Sequence, residues 1–395
     1  MKAAALLLLF VQVAGKLGDT VRKASEPESA DSDSHVVVQL QRVEGAKGSH
    51  FYVGNLKVGD PGQDFQMLFD TASGHVMVPH AACKSPACLK HRRFVPWHSS
   101  TAVDVNANGS AVAQHQRLVK GKALRDAVAV EFTQADLGEG VANAVLVRDE
   151  VCLGTEVSGK VCAQVDLMTA IKLEAELFND MPYDGMLGLS MAGLSSGAHS
   201  VFFAQLMRSN RRLVPQFGLS LGAQSGELYL GGHDAKRLAD PLTWFPVLHP
   251  EDGFWEVSVR GVRLGNLTLE TCAKGCRGIV DTGASRLGVQ AQNFQALHSA
   301  LAKASPLVGG GCEGPDLEFD LGGFSLQLPV ADYASGVSCE PQLGELQLDE
   351  KEFQGVYAFG ESVLRRYYAA FDWQKKRLGF ARVAKRRVAF QSVVV

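Results

Sequence analysis

Two aspartates stand in nearly the same short motif, one in each half of the chain. Asp70 lies in 69–73 (FDTAS) and Asp281 lies in 280–285 (VDTGAS). In both motifs an apolar run leads into the aspartate, and a threonine and very small residues follow. Two carboxyl groups about 3 Å apart cannot both ionise, so they share a proton and can divide acid and base roles. The sequence therefore predicts a site built from both halves, with Asp70 and Asp281 as its acid–base pair.

The segments before each aspartate are typical of β-strands. Residues 51–59 read as a strand, Asp60–Gly62 as a turn, and 65–69 as a second strand, which together predict a hairpin that carries Asp70 at its far end. In the second half, 255–264 is strand-like and 278–280 leads into the other aspartate.

Each aspartate is followed later by apolar residues that lead into a glycine, at 183–189 and at 356–361. A glycine there would let one backbone pass close to another. The repeat covers about half of the chain, which disfavours solenoids and propellers, whose repeats are 20–50 residues long. Two β lobes with a cleft between them are the economical interpretation.

Composition agrees with a β-rich protein. The 395 residues include 41 glycines, and short Val-, Leu- and Phe-rich runs dominate. The spacing of apolar residues predicts helices only at 200–210 and 292–304. The segment 163–179 is compatible with either a helix or a strand, although residues 172–177 within it favour a helix. The net charge of −3 gives no indication of a nucleic-acid partner.

The first 15 residues are typical of a signal peptide, with Lys2, an apolar run over 3–14 and a small-residue cleavage site. A membrane anchor is the alternative, but the run is short for a bilayer span, and no later segment is long enough. We therefore expect the secretory pathway and no stable membrane span. Residues 16–44 are interpreted as a short pro-segment or linker, although 35–43 has a strand pattern.

Eight cysteines in a chain that enters the secretory pathway predict disulfides. Their positions suggest the pairs Cys83–Cys88, Cys152–Cys162, Cys272–Cys276 and Cys312–Cys339. Zinc is the competing interpretation, but the spacing lacks paired CxxC or HxxxH geometry, so no metal is expected. Asn108 and Asn266 begin glycosylation sequons.

From residue 51 to residue 383 the chain resembles the pepsin-type (A1) aspartic proteases. The resemblance rests on the two aspartate motifs and on five further segments in the family's order. These segments are DGMLGL at 184–189, GELYLGG at 226–232, WFPV at 244–247, FGE at 359–361 and FD at 371–372. It implies an all-β-dominated, bilobal double β-barrel or sandwich with a deep interlobe cleft and a few short helices. The lobes would span 45–215 and 216–384, followed by a tail at 385–395.

The resemblance also implies the chemistry. An aspartic endopeptidase hydrolyses peptide bonds with a water activated between two carboxylates, in acidic or mildly acidic conditions. We expect peptide or protein substrates, no cofactor, a monomer, and secretion or an acidic vacuole- or lysosome-like compartment. The residues implied to support the catalytic loops are Thr71, Ser73, Thr282, Gly283 and Ser285. Thr71 and Thr282 would hydrogen-bond across the lobes, and Ser73 would donate to Asp70.

Four positions depart from the family pattern. Ala72 replaces a glycine and would be strained if its φ were positive. Ala284 replaces a hydroxyl residue, a loss that should raise the coupled pKa values and favour milder acidity. Phe132 would replace the flap tyrosine, and Met77 the tryptophan that supports it. A catalytically weakened pepsin-fold protein that binds peptides or another partner is therefore the alternative function.

Overall fold

The computed structural model describes residues 35–113, 127–134, 138–155, 159–174, 176–269, 272, 275–346 and 354–384. Strands dominate these segments and the helices are few and short, which confirms the predicted β-rich fold. The predicted signal peptide (1–15), the tail (385–395) and residues 16–34 of the predicted pro-segment or linker lie outside the described residues.

The strands of the first half are β1 (Val36–Glu44), β2 (His50–Val58), β3 (Gln63–Asp70), β4 (Val76–Pro79), β5 (Val103–Val105), β6 (Val128–Gln134), β7 (Gly138–Thr155), β8 (Gly159–Glu174) and β9 (Gly185–Gly188). Two helices accompany them, α1 (Pro86–Lys90) and α2 (Phe202–Ser209).

The strands of the second half are β10 (Gln216–Leu221), β11 (Ser225–Leu230), β12 (Thr243–Pro246), β13 (Glu256–Val259), β14 (Gly261–Leu264), β15 (Leu267–Leu269), β16 (Cys276–Val280), β17 (Leu287–Gln290), β18 (Leu307–Val308), β19 (Gly311–Cys312), β20 (Leu317–Asp320), β21 (Ser325–Leu328), β22 (Ala334–Ser335), β23 (Glu340–Pro341), β24 (Leu343–Leu346), β25 (Val356–Phe359), β26 (Tyr367–Asp372) and β27 (Arg377–Arg382). The helices here are α3 (Ala291–Ala304), α4 (Val330–Tyr333) and α5 (Glu361–Leu364).

One large sheet takes strands from both halves. Its order is β12-β27-β26-β10-β11-β1-β2-β3-β9-β4-β8-β7-β5, and β6 pairs with β7. Strand β1 lies between β11 of the second half and β2 of the first. The described residues accordingly belong to one compact unit. Because β1 is an ordered strand of this sheet, the boundary predicted at residue 45 falls after it.

A five-stranded sheet in the second half repeats the arrangement around the first aspartate. Strand β3 ends at Asp70 and pairs in parallel with β9, which pairs antiparallel with β4. Strand β16 ends one residue before Asp281 and pairs in parallel with β25, which pairs antiparallel with β17. The backbone thus repeats the internal duplication read from the sequence.

Most predicted elements are present. Strands β2 and β3 form the expected hairpin, and α2 and α3 cover the two segments with helical spacing. The segment 163–179, which the sequence left undecided between helix and strand, contains the end of strand β8 and a 3-10 turn at Glu176–Asn179. The α-helix that residues 172–177 favour locally is therefore not formed. Pairing along β7 supplies the backbone hydrogen bonds that decide this case.

All four predicted disulfides are confirmed, with S–S distances between 2.04 and 2.11 Å. The sequon residues Asn108 and Asn266 are both exposed in turns, and their glycosylation stays a prediction. Across the described segments, no helix combines the length and the apolar character needed to cross a membrane.

Candidate active site

The first aspartate loop is held by the end of strand β9. The backbone carbonyl of Asp70 accepts the N–H of Leu189 at 2.8 Å, and that of Ser73 accepts the N–H of Ser190 at 3.1 Å. Gly188 lies directly beneath, where a Cβ would come within 2.4 Å of the Ser73 carbonyl oxygen. Only glycine allows this approach, which explains the first apolar-to-glycine motif.

The second aspartate loop has the same support from strand β25. The N–H of Asp281 donates to the carbonyl of Phe359 at 3.2 Å, and the N–H of Glu361 donates to that of Ala284 at 2.8 Å. A Cβ on Gly360 would lie 2.2 Å from the Arg286 carbonyl oxygen. The two glycine motifs therefore allow the same close backbone approach beneath the aspartate loop in each half.

Two buried threonines join the loops by crossed hydrogen bonds. Thr71 Oγ1 donates to the carbonyl of Val280 at 2.7 Å and accepts the N–H of Thr282 at 3.1 Å. Thr282 Oγ1 donates to the carbonyl of Phe69 at 2.6 Å and accepts the N–H of Thr71 at 3.0 Å. Each threonine thus fixes the backbone at the base of the opposite loop, as expected from the sequence.

The two carboxyl groups face each other at the base of a cavity of about 330 Å³. The N–H of Ala72 donates to Asp70 Oδ1 at 2.8 Å, and the N–H of Gly283 donates to Asp281 Oδ1 at 2.8 Å. A Cβ on Gly283 would lie 2.9 Å from Asp70 Oδ1 and 3.1 Å from Asp281 Oδ1, so this residue must be small. The structure brings the predicted pair together.

Burial raises the pKa of Asp70 above its ordinary value, because the carboxylate loses solvent. The Ala72 N–H, the Ser73 hydroxyl and a hydrogen bond with Asp281 oppose this shift and lower the pKa. The Ser73 Oγ is buried beside Asp70, although its position falls outside that of a well-formed hydrogen bond. Because Asp70 and Asp281 are hydrogen-bonded to each other, the two carboxyls titrate as a pair.

The departures from the family pattern have different consequences. The φ of Ala72 is not positive, so the strain that a positive φ would cause is absent. Ala284 gives Asp281 only a backbone N–H, at 3.1 Å. The hydroxyl of Ser285 accepts the backbone N–H of His50 at 2.8 Å and thereby ties the second loop to strand β2. Ser285 therefore supports the loop from outside the carboxyl pair.

Comparison with known proteins agrees with this geometry. The family model described as eukaryotic aspartyl protease matches residues 51–137 and 132–383. The chain belongs to the eukaryotic aspartyl protease family. It is 27% identical to cathepsin E of Rattus norvegicus over 353 residues, which cover 84% of this chain and 79% of the relative. It is 30% identical to gastricsin of Cavia porcellus over 349 residues, covering 84% and 80%.

A hairpin of strands β6 and β7 occupies the position expected for the flap of an aspartyl protease. Phe132 of β6 pairs with Gly140 and lines the same cavity as the aspartates. Its ring packs edge-on against Phe178 at a centroid distance of 5.7 Å. Met77 is buried in the same apolar cluster, in keeping with a flap that packs without a tyrosine–tryptophan hydrogen bond. Whether Phe132 covers the substrate stays a prediction.

Sequence reasoning missed one ion-pair network beneath the second loop. Arg42 Nε donates to Glu361 Oε1 at 2.9 Å, and Arg365 Nε lies 2.7 Å from the same oxygen. Glu361 is only 4% exposed and follows Gly360, so the network connects strand β1 to the support of the second aspartate. No local pattern could reveal it, because Arg42 and Glu361 are 319 residues apart.

The aspartate in the first glycine motif has a structural contact of its own. Asp184 Oδ2 accepts the N–H of Gln66 at 2.9 Å, and Oδ1 accepts the N–H of Arg92 at 2.9 Å. It therefore fixes strand β3 from the side, away from the carboxyl pair.

In the same region, Trp255 Nε1 donates to the Leu189 carbonyl at 2.9 Å and joins the two halves.

Proposed function

We propose that this protein is an aspartic endopeptidase with Asp70 and Asp281 as its catalytic pair. The observation that carries the proposal is the pair itself: two carboxyls within hydrogen-bonding distance, each fixed by backbone N–H groups, at the base of one cavity. The threonine bonds hold the two loops in one geometry. A protein that only bound peptides would need neither the pair nor its proton.

In the proposed reaction, the ionised member of the pair removes a proton from a water molecule that lies between the carboxyls. The water oxygen attacks the scissile carbonyl carbon while the protonated member donates to the carbonyl oxygen. The resulting tetrahedral intermediate breaks its C–N bond, and the leaving nitrogen takes up a proton. That proton comes from the carboxyl that took it from the water, while a hydroxyl of the intermediate returns a proton to the other carboxylate, so each carboxyl recovers its starting state and atoms and charge balance over the cycle.

The pH dependence follows from the shared proton. The reaction needs one carboxyl ionised and one protonated, so the rate falls both below and above an acidic window. We infer an enzyme of the secretory pathway that is secreted or works in an acidic vacuole- or lysosome-like compartment. The relatives named cathepsin E and gastricsin support an acidic site of action.

The proposal is tested by peptide cleavage between pH 3 and pH 7 with the wild-type protein, Asp70→Asn and Asp281→Asn. Both variants keep the side-chain shape but cannot share the proton. We expect both to lose cleavage and to lose binding of a hydroxyl-containing transition-state mimic. Cleavage that survives either substitution would rule out the aspartic mechanism.

The second candidate function is peptide binding with weakened catalysis. It is favoured by the missing hydroxyls at Ala284 and Phe132, since each removes a polar group beside the reacting centre. The same experiment separates the two functions. A weakened protein would bind peptides with micromolar or better affinity while showing no turnover at any pH in the range.

A further inference from the structure

A histidine that follows the first aspartate loop bonds to a neighbouring loop. His75 lines the cavity that holds the two aspartates. Its Nε2 accepts the backbone N–H of Ser196 at 2.9 Å, and the Ser196 hydroxyl oxygen lies 3.1 Å from the same nitrogen. A backbone N–H can only donate, so Nε2 carries a lone pair. The ring is therefore neutral, with its proton on Nδ1.

Residues 192–196, named here the wall loop, contribute to the wall of the same cavity through Leu194. Ser195 Oγ donates to the carbonyl of Gly74. The N–H of Met191, directly before the wall loop, donates to the carbonyl of Gly253 at 2.9 Å. The wall loop is thus fastened to the first aspartate loop on one side and to the second half of the chain on the other. Of these bonds, only the one to His75 depends on pH.

Protonation of His75 would break its bond to the Ser196 N–H. The charged ring carries a proton on both nitrogens, so Nε2 can no longer accept. Burial lowers the pKa of His75, because the charged ring would lose solvent. The hydrogen bond to the neutral ring acts in the same direction. The bond is therefore present above the pKa of His75 and is lost as the pH falls through it.

The charged groups around His75 do not offset this shift. Five carboxyl groups lie on the elements packed around the cavity and the wall loop: Asp70 and Asp281 of the pair, Glu131 of β6, and Glu251 and Asp252 of the turn against Gly193. Among the described residues, none of these forms an ion pair with His75, and no lysine or arginine lines the cavity. Burial thus decides the direction, and the pKa of His75 lies below its ordinary value of about 6.5.

We propose that His75 is a positioning residue for substrate binding, whose neutral ring holds the wall loop in place and whose protonation releases it. This inference rests on the proposed endopeptidase function. A wall of the cleft contacts the substrate in the ground state and in the transition state alike. Its release should therefore raise KM and leave kcat nearly unchanged.

The expected change is modest, because Ser196 is exposed and the bond from Ser195 to Gly74 remains. One lost hydrogen bond corresponds to roughly a twofold to tenfold change in an equilibrium constant, so KM should rise by about this factor on the acid side of the wild-type profile. The carboxyl pair titrates as well, but its loss of the active protonation state lowers kcat. The two effects are therefore separable.

The test compares KM and kcat of the wild-type protein, His75→Gln and His75→Leu across the pH range of the cleavage assay. The amide oxygen of glutamine can accept the Ser196 N–H and does not titrate, so KM of His75→Gln should stay low at every pH. Leucine fills similar space but accepts nothing, so KM of His75→Leu should stay at the high value that the wild type reaches in acid. A purely steric role would give all three proteins parallel KM profiles and would refute the inference.

His91→Gln is the matched control. Burial also lowers the pKa of His91, but this residue does not line the cavity. Its KM profile should follow that of the wild type, and a flat profile would refute the assignment to His75. Ser196→Ala keeps the backbone N–H and removes only the hydroxyl, so its KM should still rise in acid.

Nitrogen-15 NMR of the histidine rings provides a readout that needs no activity. The signals of His75, identified by their absence in His75→Gln, should show a neutral ring with the proton on Nδ1 and should titrate below about pH 6.5. A ring that carries its proton on Nε2 would refute the inference and leave the protease function intact.

Kinetics and binding separate this inference from the endopeptidase proposal. If peptides are cleaved but KM of the wild type does not change with pH, the role of His75 is refuted and the protease function stands. If no peptide is cleaved, the protease function fails, and calorimetric binding of the same peptides decides the role of His75. Equal peptide affinity of the wild type, His75→Gln and His75→Leu at each pH would then refute it.

Discussion

Replacing Thr71 by valine should test whether the crossed threonine bonds hold the two halves together. Valine keeps the branched shape of threonine but loses the hydroxyl and both of its hydrogen bonds. The Val280 carbonyl and the Thr282 N–H are then left buried without these partners. Each unsatisfied buried backbone group costs about 1–3 kcal/mol, so the free energy of unfolding should fall by about 2–6 kcal/mol.

The assay is urea unfolding with the disulfides intact, in an Asp70→Asn background that prevents self-digestion. The midpoint should fall in Thr71→Val with an unchanged m-value. Thr71→Ser is the control, because it keeps the hydroxyl and loses only one buried methyl group, a loss of about 0.8 kcal/mol. A loss below about 1 kcal/mol in Thr71→Val, or an equal loss in Thr71→Ser, would refute the reasoning.

Three further predictions concern the loops and the flap. Ala284→Ser adds a donor beside Asp281, which should lower the pKa of the pair and move the acid limb of kcat/KM to lower pH; an unmoved limb would contradict this. Gly360→Ala places a Cβ 2.2 Å from a backbone carbonyl oxygen, so its thermal midpoint should fall sharply. Gly261→Ala, which has no atom within 4 Å, should leave that midpoint nearly unchanged. Phe132→Ala should lower kcat/KM about tenfold, a loss of about 1.4 kcal/mol in transition-state binding, and equal rates would exclude a lid.

The features that could be predicted from the sequence are those that occur twice in it or whose residues lie close together in the chain. The aspartate motifs, the glycines beneath them and the threonines are local patterns present twice, and the structure brings them together. The four disulfides followed from cysteines that were close or left over. In each case the signal was contained in a few neighbouring residues.

Features decided by distant partners could not be predicted. The segment at 172–177 has a local helical preference, but pairing with β7 makes 172–174 part of a strand. The resemblance implies that Ser285 supports its catalytic loop, but not that its partner is the N–H of His50, 235 residues away. The Arg42–Glu361 ion pair likewise depends on the packing of β1 against the second half.

The threonine bonds also have a consequence for the order of synthesis. Thr71 leaves the ribosome long before its partner, because the two residues are 211 positions apart. At about 5–20 residues per second the interval is roughly 10–40 s. Throughout that time the first aspartate loop has no cross-lobe support, and for about the first three quarters of it β1 has no β11 to pair with. A partly made chain therefore exposes a free strand edge beside an unfinished site, and the carboxyl pair is complete only after the last third of the protein has folded.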